Sequence, residues 1–470
     1  MVFSSLSFIF LFLPVVVIIY FLTPRRRVKN VVLLLASLLF YAWGEPIYII
    51  LILISILCCF ILARRIEAEK HNDDQAGAKA CLVLAVVIAL GILGFFKYYG
   101  FLVENINQLL AANLAVRELP LPIGISFYTF QMLSYVIDVY REDVKAQKNI
   151  LNLALYVAMF PQLIAGPIVR YNTIENQLEN RQESLPDFVA GLRRFVIGLG
   201  KKVIIANQMG IIADAVFTAP SGDMGTQLVW LAAIAYTFQI YFDFSGYSDM
   251  AIGIGRMFGF RYLENFNYPY VSQSITEFWR RWHISLGTWF RDYLYIPLGG
   301  NRRWPLRNIF IVWFLTGLWH GASWNFILWG LYYGVLLALE KYTIRAYEIR
   351  IPRAIRHIYT LFFVVVGWVL FRVENLSDLL FYLQRMFSYH PTTLDTVLYG
   401  YQDLLHALPF LAVALIASLP FFTDAARRVE RGSGHAVLKS AHSSYIIAVF
   451  IIALIFLLGE TFNPFIYFRF

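Results

Sequence analysis

Two histidines lie in apolar, tryptophan-rich stretches, where a titratable ring is unusual. His320 lies in an apolar region of about residues 308–340, which carries no formal charge until Glu340. An ionisable side chain in such surroundings is energetically costly and by default suggests function. Gly321 follows it and allows another backbone to approach closely. The alternative is a core histidine satisfied by one helix partner; the neighbouring glycine, serine and tryptophans favour a site, with His320 as the candidate catalytic residue.

The second histidine, His283, lies in a block that also contains tryptophans at regular spacing. Large apolar side chains recur at i, i+3, i+7 and i+10, which predicts one helix with a single aromatic face; they are Trp279, Trp282, Leu286 and Trp289.

Arg280, Arg281 and Arg291 would lie beside this face. One interpretation is a helix at the membrane surface whose arginines extend their charged ends into water. The other is a binding site in which arginine forks hold the phosphates of a large anionic donor while His283 faces inward. The sequence does not decide between them.

A third stretch places two carboxylates, Asp243 and Asp249, within an apolar segment. Six residues apart, they do not share a helical face, so a proton-sharing carboxylate pair is not indicated. A structural role is favoured, and orienting a histidine is the alternative. Other chemistries lack their patterns: no P-loop, G-x-G-x-x-G fingerprint, G-x-S-x-G elbow or zinc-ligand spacing occurs, so no metal site is predicted.

The elements that must position these residues are helices in lipid. Of the 470 residues, 59% are hydrophobic and 15% charged, against about 25% charged in soluble domains. The net charge of +9 sits in short clusters between apolar runs, as in loops that set membrane topology. Nucleic-acid binding is therefore not expected.

Apolar runs of about 20 residues can cross the hydrocarbon layer. They predict an all-α polytopic integral membrane protein with about 10–12 tilted helices, organised as one domain over 1–470. The first run, 5–23, precedes the basic cluster 25–29, which predicts an extracytoplasmic N-terminus. The candidate runs are 5–23, 31–43 with 47–63, 81–96, 121–140, 151–168, 227–245, 308–318, 323–340, 358–371, 405–422 and 444–459.

The middle of the chain, about 121–330, carries proline and glycine inside apolar runs, as in Leu163–Pro167. Broken helices at membrane depth are tolerated where they are buried in protein or line a cavity. A central catalytic region is therefore predicted there. The polar stretch 169–187 is predicted to be a loop.

With these residues in view, the chain resembles the membrane-bound O-acyltransferase family, in particular its alginate-type branch. The resemblance covers essentially the whole chain, and its most specific element is the Trp-His-Gly stretch at His320. The other matching segments are 1–5, 41–46, 122–131, 241–249, 279–286 and 463–470.

The resemblance implies a ring of tilted helices around a central funnel or tunnel in a bacterial cytoplasmic membrane. It implies acyl transfer from a cytoplasmic thioester, acetyl-CoA, toward hydroxyls of an extracytoplasmic cell-surface polysaccharide. No permanently bound cofactor is expected. Extracytoplasmic acetyltransferase partner proteins are expected to finish the transfer. His320 matches the family's catalytic histidine, and His283 matches a second histidine position of the branch.

In this reading His320 takes the hydroxyl proton as the oxygen attacks the thioester. His283, a backbone N–H or an indole N–H would stabilise the oxyanion, and Arg280 and Arg281 would bind the donor phosphates. Three alternatives stay open: D-alanyl transfer to teichoic acid, a transporter or flippase for lipid-linked sugars, and a scaffold that docks a soluble acetyltransferase.

Overall fold

The computed structural model describes residues 2–117, 119–218, 224–343, 351–391, 408–421 and 436–459, the last without the side chains of 436–439. The matching end segment, 463–470, lies outside the described residues. Within these ranges the chain is helical, and no strand occurs. The helices are α1 Leu13–Leu22, α2 Arg26–Gly44, α3 Tyr48–His71, α4 Gln75–Leu110, α5 Ile125–Arg141, α6 Ile150–Ala158, α7 Phe160–Leu163, α8 Tyr171–Asn180, α9 Leu185–Gly200, α10 Asn207–Phe217, α11 Thr226–Met257, α12 Ile275–Arg281, α13 Ile284–Phe290, α14 Pro305–His320, α15 Trp324–Tyr342, α16 Arg353–Arg372, α17 Leu376–Phe387, α18 Leu408–Ala417 and α19 Ala436–Gly459.

Within the described ranges, seven helical stretches are long and apolar enough to cross a membrane, which confirms the all-α polytopic class. Several predicted spans fold as shorter helices, such as the 17-residue α5 and the 16-residue α14. The total of ten to twelve spans stays a prediction. The seven stretches are Arg26–Gly44, Tyr48–His71, Gln75–Leu110, Leu185–Phe217, Thr226–Met257, Arg353–Arg372 and Ser440–Gly459.

The chain forms two compact units, and the first comprises residues 1–195 and 250–263. In it α3, α4 and α5 pack against one another, and α4 exposes most of its apolar surface, as a helix facing lipid does. The predicted interruption of run 151–168 is confirmed, because the short α7 ends at Leu163, where the stretch Leu163–Pro167 begins. A second break lies earlier in the run, between the end of α6 at Ala158 and the start of α7 at Phe160.

The second unit comprises residues 196–249 and 264–470. Its helices α12 and α14 to α16 are the ones that carry the candidate site. Here α14 packs along α15, and α12 contacts both α15 and α16. The chain passes between the units inside α9, inside α11 and again in the segment after α11. The prediction of one domain over 1–470 stays a prediction.

Two predictions about the middle of the chain are wrong. The stretch 169–187 is not simply a loop, because it contains α8, whose Ile174 and Leu178 are buried four residues apart. The stretch 185–217, not predicted as a span, is a helix of membrane-spanning length in which α9 and α10 are joined by the π-helical turn Lys201–Ala206. The adjacent Lys201 and Lys202 interrupt its apolar character, so this stretch does not read as an apolar run.

Candidate active site

A cavity of about 1120 Å³ lies within the second unit, bounded by residues of α12 to α16. This volume is slightly above the roughly 300–1,000 Å³ typical of small-molecule sites. His283, His320 and Arg280 all line it, so the fold brings together three of the four residues predicted from the sequence. Trp279 and Trp313 form part of its apolar wall.

His320 is the last residue of α14, and its imidazole is buried, with 4% of the residue exposed. The rings of Trp329 and Phe371 flank it edge to face, with centroids 5.0 and 5.1 Å away. Helix α14 ends here because Gly321 takes an extended conformation with φ of −171°. The histidine is therefore held at a helix end by aromatic packing.

Glycines explain how α14 and α15 come close enough to enclose His320. A Cβ at Gly317 would lie 3.1 Å from the carbonyl carbon of Phe326 and closer still to its oxygen. A Cβ at Gly330 would meet the carbonyl group of Trp313 in the same way. Small residues at such a crossing let helix backbones approach. At Gly321 the requirement is also space, because a Cβ would overlap the Phe326 ring.

His283 lies at a break between α12 and α13, so the prediction of one continuous helix through this block is wrong. Its backbone is left-handed, with φ 43° and ψ 54°, and it forms the N-cap of α13. A non-glycine residue in this region is uncommon and points to a conformation held by its surroundings. The tryptophan spacing continues across the break, which is why periodicity alone did not reveal it.

The surroundings of His283 come from two segments earlier in the chain. Its Nδ1 lies 3.1 Å from Oδ1 of Asn265, and its ring packs edge to face on Phe244 with centroids 4.6 Å apart. The histidine lies outside the seven candidate spans, and burial lowers the pKa of its imidazole to about 3. The ring is therefore neutral near pH 7.

Trp319 connects the two histidines. Its ring centroid is 6.0 Å from that of His283 and 5.0 Å from that of His320. Both imidazoles therefore belong to one aromatic cluster beside the cavity.

The two adjacent arginines differ in their surroundings. Arg280 is exposed and lines the cavity. Arg281 is not among the cavity-lining residues; its guanidinium pairs with Glu277 at 2.9 Å and donates to the backbone carbonyl of Asn267 at 3.1 Å. Arg280 is therefore the arginine of this pair that is available to a ligand in the cavity, whereas Arg281 is held within the local fold.

Glu340 is a site residue that sequence reasoning did not assign. Its carboxylate, on α15, accepts the N–H groups of Ile275 at 2.5 Å and Thr276 at 2.8 Å, and the Thr276 hydroxyl at 2.7 Å. The first turn of a helix has N–H groups without partners inside the helix, and a carboxylate there is favourable. Glu340 therefore holds the start of α12, and with it Trp279 and Arg280, against α15.

Asp243 and Asp249 of α11 form ion pairs with two lysines in the π-helical turn of the 185–217 helix. Lys202 and Asp243 meet at 2.6 Å with both side chains almost fully buried, and Lys201 meets Asp249 at 2.7 Å. Gly246 lies between the two aspartates and lets α11 come close to the π-helical turn. Charge pairing therefore joins these helices, in line with the structural role favoured for the aspartates.

Charged residues inside apolar stretches are visible in the sequence, but the sequence does not say which of them pair. Lys201 and Asp249 are 48 positions apart, and Lys202 and Asp243 are 41 apart. All four are compatible with pairing, since a buried charge requires a counter-charge. Nothing local marks Asn265. In the described ranges no group of three or more His, Cys, Asp or Glu is placed to hold a metal ion.

The arrangement places two imidazoles, which can accept or donate a proton, next to space for a substrate. Two buried imidazoles lie beside a cavity large enough for an extended substrate, and an exposed guanidinium lines the same cavity. The fold and site are those of a polytopic membrane enzyme with a large substrate cavity.

Sequence comparison identifies the class. The sequence model of the membrane-bound O-acyltransferase family matches residues 141–382, a range that includes both histidines. The chain is 40% identical over 504 aligned residues to a protein of Azotobacter vinelandii named "Probable alginate O-acetylase AlgI", covering all of both chains. The protein belongs to the membrane-bound O-acyltransferase family, and it is an O-acyltransferase.

Two further relatives have different named acceptors. A peptidoglycan O-acetyltransferase of Helicobacter pylori is 35% identical, with 82% of this chain and 80% of the relative covered. A teichoic acid D-alanyltransferase of Bacillus subtilis is 29% identical, with 47% of this chain and 59% of the relative covered. The resemblance predicted from the Trp-His-Gly stretch and its companion segments is confirmed.

Proposed function

We propose that this enzyme is an O-acetyltransferase that moves an acetyl group from cytoplasmic acetyl-CoA toward hydroxyls of an extracytoplasmic, alginate-type polysaccharide. The observation that carries the proposal is the cavity lined by His283, His320 and Arg280 together. The name of the Azotobacter relative, which aligns over the whole chain, supports acetyl as the acyl group and alginate-type glycan as the acceptor class.

In the proposed reaction His320 is the general base. The acceptor hydroxyl gives its proton to the imidazole while its oxygen attacks the thioester carbonyl carbon. The tetrahedral intermediate carries an oxyanion, and its collapse breaks the carbon–sulfur bond. The CoA thiolate leaves and can take the proton from the imidazolium. Positioned proton transfer of this kind contributes about 10²–10⁴-fold to a rate.

The donor is proposed to bind with its phosphates at Arg280, because this guanidinium lines the cavity and is exposed. Cationic groups of Arg291, Lys341 and Arg356 line the same cavity and add to its attraction for an anion. Arg281 was expected to share this role; its pairing with Glu277 supports a structural contribution instead.

The proposed location is the cytoplasmic membrane of a bacterium, with membrane lipid around the helices and the N-terminus outside the cytoplasm. Extracytoplasmic acetyltransferase proteins are proposed to pass the acetyl group on to the glycan. The basic cluster at 25–29 following the first apolar run supports this orientation.

The test uses purified full-length protein in liposomes with acetyl-CoA labelled in the acetyl group. Label transferred to a hydroxyl acceptor with stoichiometric release of free CoA is expected. Transfer from a D-alanyl carrier-protein thioester and none from acetyl-CoA would replace the proposal by the D-alanyl alternative, which the Bacillus relative's name favours. Movement of a lipid-linked sugar without thioester consumption would instead support a transporter.

The direction of acetyl transfer across the membrane is tested in liposomes in which the enzyme has one orientation. Protease protection of a C-terminal tag reports that orientation. Acetyl-CoA is supplied either outside or inside the vesicle. The proposal expects label to enter from the cytoplasmic face and to appear on an acceptor enclosed with the opposite face. Acceptor labelling on the donor's own side alone would contradict the transmembrane direction.

A further inference from the structure

Asn265 has contacts that specify the chemical state of His283. The residue is 1% exposed and lies in the segment between α11 and α12. Its Oδ1 atom lies 3.1 Å from Nδ1 of His283, 3.2 Å from the backbone nitrogen of Ser285 and 2.8 Å from the Ser285 hydroxyl. Three groups of α13 and its N-cap therefore converge on one amide oxygen.

The orientation of the Asn265 amide follows from one of these contacts. A backbone N–H can only donate, so the side-chain atom facing the Ser285 nitrogen must be the oxygen. The amide nitrogen then points the other way, where it donates to the Ser248 hydroxyl at 3.2 Å. The usual ambiguity between the two amide atoms is thereby removed.

The tautomer of His283 follows in turn. An amide oxygen cannot donate, so Nδ1 of His283 must carry the hydrogen of this contact. In a neutral imidazole the other nitrogen, Nε2, then carries the lone pair. The Ser285 hydroxyl lies 3.5 Å from the same Nδ1 but only 2.8 Å from Asn265 Oδ1, so donation to the amide is its better contact.

We propose that Asn265 is a positioning residue that holds His283 in the Nδ1–H tautomer, so that the lone pair of the imidazole lies on Nε2 and this atom can accept but not donate a hydrogen bond. This inference rests on the proposed function, which puts a hydroxyl acceptor in the cavity that His283 lines. The tautomer also limits what His283 can contribute to the reaction. A neutral ring in this tautomer has no hydrogen on Nε2 with which to stabilise an oxyanion, so that task falls to other donors.

Asn265 also supports the break at His283, and the test must separate the two effects. Its main-chain oxygen accepts the N–H of Ile284 at 2.9 Å, a contact that side-chain substitution leaves in place. Asn265→Asp keeps an oxygen acceptor for His283 and Ser285, whereas Asn265→Leu has a similar size and no acceptor. Asn267, two residues further on and exposed, offers the matched control Asn267→Leu.

The direct measurement is ¹⁵N NMR of full-length protein in lipid nanodiscs with labelled histidine, at mildly alkaline pH. The His283 signals are assigned by their loss in His283→Gln. Wild type and Asn265→Asp are expected to show a protonated Nδ1 and an unprotonated Nε2, and Asn265→Leu a mixture of tautomers. A wild-type spectrum with hydrogen on Nε2 would overturn the inference, whether or not Asn265→Leu folds.

The kinetic measurement is acetyl transfer by the same variants. Loss of the orienting partner of a metal-binding histidine costs on the order of 10–100-fold in affinity or activity. An effect of the same size on His283 would lower kcat of Asn265→Leu by that factor while KM for acetyl-CoA stays unchanged. Asn265→Asp should recover most of kcat, and Asn267→Leu should match wild type. Unchanged kcat in Asn265→Leu would overturn the positioning role. Wild type that transfers no acetyl group would refute the proposed function alone, because the spectra decide the tautomer independently.

Discussion

Replacing Gly317 with alanine tests whether close helix packing positions His320. Gly317 lies one turn before His320 on α14, where a Cβ would be 3.1 Å from the carbonyl carbon of Phe326 on α15. Non-bonded carbon atoms rest about 3.5–4.0 Å apart. The two backbones must therefore separate by up to about 1 Å to accommodate one methyl group.

Two effects of Gly317→Ala follow from this displacement. Overpacking of a closely packed contact costs about 1–3 kcal/mol of stability. A shift of about 1 Å in a catalytic group can cost about 10²-fold in rate, so kcat for acetyl-CoA-dependent transfer should fall by that order. The assays are free-thiol release under saturating substrate and thermal unfolding in the same detergent.

Gly94→Ala is the matched control for Gly317→Ala. Gly94 lies in α4, and a Cβ there meets nothing within 4 Å, so the same chemical change should leave kcat unchanged and favour the helix slightly. Gly317→Ala with wild-type kcat and unfolding temperature would refute the claim that this glycine contact positions His320.

The remaining predictions concern the charged groups around the site. Lys202→Met should destabilise the protein by about 3–5 kcal/mol, because it leaves a buried carboxylate without its counter-charge; adding Asp243→Leu should restore much of this in urea or thermal unfolding. Failure of the second change to restore stability would contradict a paired role. Glu340→Leu should lower stability by about 1–3 kcal/mol for each donor left unpaired at the start of α12, and Glu340→Gln by less; equal losses would argue against hydrogen bonding. Arg280→Ala should raise KM for acetyl-CoA with little change in kcat, most clearly at low salt, whereas Arg281→Ala should mainly lower stability. A larger KM effect in Arg281→Ala would reverse the assignment of the donor site.

The class of fold could be predicted from composition because lipid leaves few alternatives to helices. The turn between α2 and α3 falls at residues 45–47, where Glu45 and Pro46 interrupt two apolar runs. Such boundaries are local signals, and the sequence contains them. The number of spans is harder to predict, because helices such as α14 are shorter than the apolar run of about 20 residues that identifies a span.

The helix of residues 185–217 shows what local reasoning omits. Arg193, Arg194, Lys201 and Lys202 make this stretch less apolar than a typical span. It is mainly buried, and the structure pairs its two lysines with aspartates of α11. Neither partner can be chosen from the sequence alone, because the pairing depends on how two helices meet.

The candidate site likewise contains one feature that the sequence reveals and one that only the tertiary structure reveals. His320 could be found because a titratable ring among apolar residues is conspicuous and glycine follows it. The break at His283 could not, since the hydrogen bonds that hold it come from Asn265, which is eighteen residues earlier in the chain. The tryptophan periodicity of the block is compatible with one helix or two, and only the tertiary contact of Asn265 decides between them.

Single-turnover kinetics of His320→Gln test most directly whether His320 is the base in acyl transfer. The rate of acetyl transfer from bound acetyl-CoA is measured in wild type and variant, with donor binding measured separately to establish that the site is filled. If His320 is the base, donor affinity is unchanged and the rate is lower by about 10²–10⁴-fold. A rate within about a factor of two of wild type, with donor bound, would contradict it.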